Sequence, residues 1–357
     1  MTEKREPVCE LFVPGRMCLF GEHSDWAAEY RKADTSAGLG YTISCGLDQG
    51  FSARVYFRGD DFVFHSSSIK GDRETFRSKM DLSHLLDTAK SGGFWSYVAG
   101  AVYQTALRFP LGGLEIDNYS TGLPMKKGLG SSAAVSVLTV RAYNRAYGLG
   151  LSLREEMETA YLGEVTTPSR CGRMDQGCAF GRVPILITYN GEKIEVEEIS
   201  VGGKLYFVIV DVGGNKDTVY ILKTLHGAFV NSPAGAGKNM REYLGPLNKR
   251  TVFDAVEFIE KGDPEGLGSL MTRTQRRFDE CIAPACPSEL TSPLLHTILG
   301  HPAVKPHIFG GKGVGSQGDG SAQFVCRNED SQKQLLSVIQ EDLGLDARGL
   351  VLSPGVL

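Results

Sequence analysis

The sequence lacks a long apolar run, a strong charge imbalance and any repeat or low-complexity tract. No stretch approaches the roughly 18 apolar residues that a membrane-spanning helix needs. The formal net charge of −4 argues against a general nucleic-acid binder, since such a protein carries a basic face. We therefore expect a protein with neither a membrane nor a nucleic-acid partner.

Closely spaced cysteines are also missing, because none of the eight forms a C-x-x-C pair. This spacing argues against a zinc knuckle and against a thioredoxin-like redox site. In a chain of 357 residues, scattered cysteines favour reduced thiols over a disulfide framework. The first residues, MTEKREPVCELFV, carry charges of both signs and no apolar segment, so we expect no signal peptide. We therefore expect a soluble, cytoplasmic enzyme.

Length and pattern predict an α+β protein with two packed lobes, because strands and helices are intermixed. Glycines at 191, 202 and 203 suggest the boundary, with an N-terminal ATP-binding lobe at 1–200 and a C-terminal lobe at 201–357. Predicted strands are 9–13, two strands around a turn within 43–57, 114–119, 184–189 and 205–212. Predicted helices are 94–109, 132–147, 153–164, 251–261, 267–280, 288–299 and 330–343. The 153–164 helix is expected to begin with a capping box of Ser152 and Glu155. Residues 27–40 and the glycine cluster 310–320 are predicted as loops, the latter accompanied by two terminal strands.

The segment LPMKKGLGSSAA at 123–134 has the character of a phosphate-binding loop. A predicted strand precedes it and a predicted helix follows, so free amides at the helix start would face an anion. Its two glycines allow close backbone approach, and its serines offer hydroxyls to a phosphate or to Mg²⁺. It is not a Walker A loop, because no Lys-Ser or Lys-Thr follows the last glycine. Taken alone, a glycine turn with a serine cap explains it equally well.

Two further segments remove this ambiguity. Residues 14–26 read PGRMCLFGEHSDW, and residues 310–324 read GGKGVGSQGDGSAQF. With GLGSSAA at 128–134, these resemble the three motifs of the galactokinase, homoserine kinase, mevalonate kinase and phosphomevalonate kinase (GHMP) superfamily. The resemblance implies a two-lobed fold, with a ribosomal-protein-like N-terminal lobe and a ferredoxin-like C-terminal lobe. It also implies an ATP- and Mg²⁺-dependent kinase that acts on a small molecule.

Within the superfamily, the string GEHSDW at 21–26 looks most like the galactokinase branch, where GEHTDY is usual. By that resemblance Glu22, His23 and Asp25 bind the hydroxyls of a sugar. Such hydroxyls need partners, since each unpaired buried one costs about 1–3 kcal/mol. The alternative is a solvated surface cluster.

The string CGRMDQ at 171–176 resembles the C-G-I-M-D-Q of galactokinases. The resemblance makes Asp175 the carboxylate beside the attacking hydroxyl, able to orient it and accept its proton. Arg16 matches the family arginine that pairs with this aspartate and would hold it ionised. An ordinary loop carboxylate is the alternative for Asp175.

The nucleotide and metal assignments follow from the same resemblance. Glu164 stands eleven residues before Asp175, a separation at which several members carry a Mg²⁺ ligand, with Ser132 as its partner and Ser131 as the alternative. Two protein ligands suffice, because Mg²⁺ keeps several waters. Trp95 would stack on adenine or serve as a plain core position. The predicted ATP-binding residues are Trp95, Lys127, Gly128, Leu129, Gly130, Ser131, Ser132 and Ala133.

The sequence departs from the family pattern at Arg173, where an apolar residue is usual, and in its longer first loop and atypical third motif. Arg173 would bind an acidic sugar or be solvated surface charge. The expected reaction is phosphoryl transfer from ATP to a sugar hydroxyl, at the anomeric position of a galactose-like hexose. Alternatives are a uronic-acid or other modified-sugar kinase, a mevalonate-type kinase, and a non-catalytic sugar and ATP sensor. The expected partners are the sugar and ATP, in a monomer or a homodimer.

Overall fold

The computed structural model describes residues 5–32, 38–67, 72–123, 129–169, 171–231 and 235–355. Its strands are β1 (Cys9–Phe20), β2 (Gly40–Phe57), β3 (Asp61–Ser67), β4 (Arg73–Lys79), β5 (Leu114–Thr121), β6 (Ile185–Asn190), β7 (Lys193–Glu198), β8 (Leu205–Asp211), β9 (Ile308–Gly313), β10 (Ser321–Cys326) and β11 (Ala347–Leu352). Its helices are α1 (Ser24–Glu29), α2 (Leu82–Ser91), α3 (Phe94–Ala106), α4 (Ser131–Tyr147), α5 (Leu153–Val165), α6 (Thr218–Asn231), α7 (Ala236–Glu242), α8 (Asn248–Lys261), α9 (Pro264–Cys281), α10 (Pro287–Leu290), α11 (Pro293–Gly300) and α12 (Glu329–Ser337). None of the helices described here combines the length and apolar character needed to cross a membrane.

The fold divides into two compact units. Unit 1 comprises Met1–Arg16 with Cys45–Arg182, and unit 2 comprises Met17–Ser44 with Val183–Leu357. The expected split at residue 200 differs from this division, because β1 and β2 each supply residues to both units. The sequence reading had taken the two strands as short segments.

Unit 1 contains strands in the order β4-β3-β5-β2, with β1 pairing with β2. The β3–β5 pair is parallel, and the β3–β4 and β2–β5 pairs are antiparallel. Residues 51–56 of β2 alternate between buried and more exposed positions, whereas Phe57, at the end of the strand, is exposed. Helix α5 begins with the predicted capping box of Ser152 and Glu155, in which each side chain bonds the other residue's backbone N–H.

Unit 2 is built on an antiparallel sheet in the order β11-β8-β10-β9. Buried side chains on it, including Val208, Val210 and Phe324, pack against α11 and α12 through Leu295 and Leu335. In the same unit, β6 pairs with β7 and with the Gly40–Ser44 end of β2.

Several sequence-based boundaries were wrong, and glycine explains the most informative ones. β1 runs through Pro14-Gly15 and β2 is one strand rather than two. A Cβ on Gly15 would lie 2.8 Å from the Leu129 carbonyl oxygen, and one on Gly50 would lie 2.3 Å from that of Val13. These glycines permit close packing of chain segments, so Gly15 does not end β1 and Gly50 does not mark a turn in β2.

Other corrections concern helices and the third motif. Helix α1 and a 3-10 turn at Tyr30–Lys32 occupy part of the predicted 27–40 loop, whose residues 33–37 lie outside the described residues. The predicted 288–299 helix is broken before Pro293, and the 330–343 helix ends in a π-helical turn at Val338–Asp342. The glycine cluster at 310–320 begins inside β9, so its first part is strand. Helix α6 was missed.

Helices α3 and α5 of unit 1 touch backbone to backbone at two glycines. A Cβ on Gly100 would lie 2.3 Å from the carbonyl oxygen of Gly163, and one on Gly163 would lie 2.8 Å from the Ala101 Cα. Glycine costs a helix about 1 kcal/mol relative to alanine. Close packing of the two helices therefore offsets the poor helix propensity of Gly100.

We predict that Gly100→Ala lowers the free energy of unfolding by about 1–3 kcal/mol, because overpacking outweighs the gain in helix propensity. Gly227→Ala in α6 is the matched control, since no heavy atom lies within 4 Å of its added Cβ. That variant should be neutral or stabilising by up to about 1 kcal/mol. Urea unfolding of both proteins measures the difference, and equal effects would contradict the packing argument.

Candidate active site

The start of α4 forms the centre of the candidate site in unit 1. Gly130 precedes the helix in the left-handed conformation, with φ of 69°. The first N–H groups of a helix have no partner within it, so those of the α4 first turn can bind an anion. Ser131 and Ser132 are half-buried there, and Ala133 is buried. The predicted ATP-binding residues Lys127 and Gly128 lie outside the described residues.

Arg16, at the unit 1 end of the first motif, lies against this helix start. Its backbone N–H donates to the Leu129 carbonyl at 3.0 Å. A Cβ on Gly130 would be 3.0 Å from the Arg16 Cγ, so the arginine side chain packs tightly against this glycine. The glycine thus serves both the left-handed turn and the passage of the arginine.

Arg16 also reaches Asp175, its predicted partner 159 positions along the chain. Arg16 Nε and Nη2 donate to Asp175 Oδ1 at 3.0 and 2.5 Å. The arginine side chain is 4% exposed, whereas that of Asp175 is 24% exposed. Asp175 is therefore held by a buried cation and remains partly accessible to a ligand.

Glu164, on α5, lies at the predicted metal position. Its Oε1 accepts from Ser132 Oγ at 2.8 Å, and its Oε2 accepts from Gln176 Nε2 at 2.6 Å. Burial, followed by the nearby Asp175 charge, raises the pKa of Glu164 to about 7, while hydrogen bonds from Ser132, Gln176 and Cys171 act in the opposite direction. Gln176 was missed in the sequence reading, although it ends the CGRMDQ motif.

These residues fit a magnesium ion and a nucleotide phosphate. The Ser132 hydroxyl and the Glu164 carboxylate are adjacent hard oxygen donors, which Mg²⁺ prefers. The buried Gln176 Oε1 has no hydrogen-bond partner in the described structure, so a further polar group at this place would satisfy it. Across the described ranges no three His, Cys, Asp or Glu side chains gather to hold a metal, so such an ion would rely on few protein ligands.

The first motif continues in unit 2, where Glu22, His23 and Asp25 are all buried. Gly21 precedes them with φ of 92°, and a Cβ there would lie 2.1 Å from the Tyr41 carbonyl oxygen. His23 is itself left-handed, with φ of 67°, immediately before α1. Such a conformation is uncommon for a residue with a side chain, and it is a feature of functional sites. The alternative of a solvated surface cluster is excluded by the burial of all three.

His23 is a neutral hydrogen-bond donor. Its Nδ1 accepts from Trp26 Nε1 at 3.0 Å, so the ring proton belongs on Nε2. Burial lowers the pKa of His23 to about 3, and the charges of Lys216, His226 and Lys312 add to the effect. The Ser316 backbone lies near the ring, but no described group makes a well-directed hydrogen bond to Nε2.

Glu22 is paired with Lys312, which the sequence reading did not single out. Lys312 Nζ donates to Glu22 Oε1 and, at 2.9 Å, to the Gly313 carbonyl. Both side chains are almost fully buried. The available signal was a lysine inside the apolar and glycine-rich β9, a position that favours neutral residues.

Two predicted residues have other contacts in unit 1. Arg173 Nε and Nη2 donate to the two carboxylate oxygens of Glu158 at 3.2 Å, and its guanidinium lies 4.1 Å from the Tyr161 ring centroid. Arg173 is buried, which excludes solvated surface charge. The Trp95 ring stacks on Phe76 with a centroid separation of 5.6 Å, so core packing occupies one of its faces.

The raised pKa of Glu164 gives a pH prediction for stability without metal or nucleotide. Because the folded state holds this proton more tightly, the free energy of unfolding should fall as pH rises from about 4.5 to about 7. The loss of unfolding free energy should total roughly 3 kcal/mol, because the pKa of Glu164 rises from its usual 4.5 to about 7 in the folded protein. Glu164→Gln should lack this component. Urea unfolding of both proteins with EDTA across this range measures the difference, and parallel stability curves would contradict it.

Comparisons with known proteins agree with the arrangement. Residues 96–182 match the family described as GHMP kinases N terminal domain. The galactokinase of Thermotoga petrophila is 24% identical over 356 aligned residues, covering 93% of this chain and 91% of the relative. The galactokinase of Thermococcus kodakarensis is 23% identical over 304 residues, covering 77% and 79% of the two chains.

Solved structures share the fold over nearly the whole chain. The mevalonate kinase of Methanococcus jannaschii superposes with a TM-score of 0.70 at 19% identity, covering 99% of both chains. The galactokinase of Lactococcus lactis, solved with galactose, superposes with a TM-score of 0.68 at 18% identity, covering 97% of this chain and 93% of its own. Residues 96–182 therefore match a GHMP kinase N-terminal domain, the chain shares the α+β fold of GHMP kinase structures, and these similarities together indicate a phosphotransferase that acts on a hydroxyl group.

Proposed function

We propose that this protein transfers the γ-phosphoryl group of ATP to the anomeric hydroxyl of a galactose-like hexose. The observation that carries the proposal is the Arg16–Asp175 pair beside Gly130, because it joins a carboxylate, a cation and an anion-binding helix start within unit 1. A kinase needs these three groups, since phosphoryl transfer depends on positioning and on charge stabilisation.

In this proposal Asp175 orients the sugar hydroxyl and accepts its proton. The sugar oxygen then forms its bond to the γ-phosphorus, the bond from phosphorus to the β–γ bridging oxygen breaks, and ADP leaves. Arg16 offsets the negative charge of the transferring group and fixes the Asp175 carboxylate through Oδ1. The amides at the start of α4 bind phosphate oxygens.

Ser132 and Glu164 would hold Mg²⁺, which when bound supplies positive charge to the nucleotide phosphates. Ser131 is the alternative hydroxyl. Gln176 would keep the Glu164 carboxylate in place through its 2.6 Å hydrogen bond. Because burial opposes the charged form of Glu164, metal binding at this position should be stronger at higher pH.

The sugar would bind to Glu22, His23 and Asp25, with the carboxylates accepting hydrogen bonds and His23 Nε2–H donating one. The galactokinase relatives in sequence favour a hexose. A mevalonate-type acceptor is the second candidate, because solved mevalonate kinases share the fold at similar TM-scores. A uronic acid is less favoured, since Glu158 already engages the Arg173 guanidinium. ADP release with galactose, glucose, galacturonate, glucuronate and mevalonate tests the acceptor, and activity on mevalonate alone would overturn the sugar proposal.

We predict that Asp175→Asn lowers kcat by about 10²–10⁴-fold, because the amide cannot accept the hydroxyl proton. ATP binding, measured by calorimetry, should change little. Asp48→Asn is the matched control, since Asp48 forms an exposed ion pair with Arg182 in the same unit. Near-normal kcat in a folded Asp175→Asn protein would remove Asp175 from catalysis.

We also predict that Ser132→Ala and Glu164→Gln each raise the free Mg²⁺ concentration needed for half-maximal activity. The expected increase is about tenfold or more, because each variant removes one of few protein ligands. The preferred acceptor should stay the same. Activity titrated against free Mg²⁺ at fixed ATP measures this, and unchanged midpoints in both variants would exclude the two residues from metal binding.

A further inference from the structure

We propose that Lys312 is a positioning residue for the acceptor, acting through Glu22, so that the third motif governs acceptor affinity. The proposal rests on the proposed function, in which Glu22 binds the acceptor. It concerns unit 2 alone and assigns the glycine-rich 310–313 segment a role in acceptor binding rather than in phosphate binding.

The burial of Lys312 is the first step in the argument. Its side chain is 0% exposed, and a buried ammonium is costly unless it is paired and hydrogen-bonded. Its described contacts are Glu22 Oε1, the Gly313 carbonyl, and the Phe20 ring, whose centroid lies 5.9 Å from Nζ. The Glu22 carboxylate therefore supplies the counter-charge of this buried ammonium group, and the Gly313 carbonyl accepts a second hydrogen bond from it.

The effect on Glu22 is the second step. The hydrogen bond from Lys312 to Oε1 restricts rotation of the Glu22 carboxylate. The direction of the second oxygen, Oε2, is thereby fixed as well. The pair also compensates the Glu22 charge inside the protein, so the acceptor need not supply a cation. A preoriented acceptor group loses less conformational entropy when a ligand binds.

The framework around Lys312 holds it in place. Lys312 lies opposite Gln323 in the β9–β10 ladder, and Gln323 Nε2 donates to the Cys18 carbonyl at 2.8 Å. The next N–H along β9, that of Gly313, donates to Gln275 Oε1 on α9 at 2.8 Å. Both strands of the hairpin are thus hydrogen-bonded to neighbouring segments of unit 2. Lys312 and Gln323 bond to Glu22 and Cys18 of the first motif, and Gly313 bonds to α9.

The glycines of the third motif support this structural role. A Cβ on Gly310 would lie 2.0 Å from the Gly268 carbonyl oxygen, and one on Gly313 would lie 2.0 Å from Gln317 Oε1. Close packing against the α9 backbone therefore requires glycine at position 310, whereas a side chain at position 313 would displace the Gln317 side chain. Gly310 lies within β9 and Gly313 ends it, so both belong to the strand that carries Lys312. The packing of this strand against α9 helps to hold Lys312 beside Glu22.

The test compares Lys312→Met, Glu22→Gln and the double variant Glu22→Gln/Lys312→Met with the wild type. Acceptor KM, kcat, ATP affinity and the urea midpoint are measured with the acceptor that the wild type phosphorylates. Lys333→Met is the matched control, because Lys333 pairs with Glu329 on the exposed surface of the same unit.

We expect Lys312→Met to raise the acceptor KM at least about tenfold, from loss of a buried charge pair, while ATP affinity changes less than about threefold. Its urea midpoint should fall, because Glu22 loses its partner. The double variant should regain the midpoint, since both charges are gone, but keep the raised KM. Lys333→Met should match the wild type in all four measurements.

Two results would overturn the inference. One is an unchanged acceptor KM in a folded Lys312→Met protein. The other is recovery of both stability and KM in the double variant, which would make the pair purely structural. If Lys312→Met does not fold, the double variant still decides between the two. Failure of the sugar proposal would be seen separately, in the acceptor panel measured with the wild type. The Lys312 variants would then be tested with the alcohol that the wild type phosphorylates, and the same rise in its KM is expected.

Discussion

The ion pair between Arg16 and Asp175 is the interaction on which the unit 1 site depends. It connects the first motif with a turn that follows α5, and its arginine side chain passes directly over Gly130. Any side chain at position 130 would meet both a strained backbone conformation and the Arg16 side chain. The geometry of the loop and the geometry of the carboxylate are therefore set together.

The two groups of candidate residues handle buried charge in different ways. Glu164 has no cationic partner among its described hydrogen bonds, and burial raises its pKa to about 7. Glu22 carries its counter-charge within unit 2, in the form of Lys312. His23 avoids the problem by staying neutral, with its pKa lowered to about 3 by burial first and by neighbouring cations second. A site for a metal and a site for hydroxyls would need this contrast.

Much of the local structure could be predicted from the sequence, because helical periodicity and capping are local signals. Helices α3, α4 and α5 follow their predicted positions closely, and the Ser152–Glu155 capping box forms as expected. The Arg16–Asp175 pair is confirmed, but only the family resemblance could suggest a contact between residues 159 positions apart. Lys312 stands in a glycine-rich strand and Gln176 ends the CGRMDQ motif, but neither local signal reveals the distant carboxylate beside which each side chain is buried. The predicted strand boundaries near Gly15 and Gly50 were wrong, because a glycine can occur either in a turn or at a close tertiary contact, and the sequence alone does not distinguish the two.

The passage of β1 and β2 through both units has a consequence for how the gene can be divided. Neither unit corresponds to one continuous stretch of codons, since residues 17–44 belong with 183–357 and residues 1–16 belong with 45–182. A fragment that begins at Val183 would lack α1 and the Glu22–Asp25 segment, together with the strand residues Gly40–Ser44 that pair with β6. Fusion or recombination at a single junction would therefore divide a unit rather than transfer it. Transfer of unit 2 between relatives would require three matched junctions, one on each side of residues 17–44 and one before Val183.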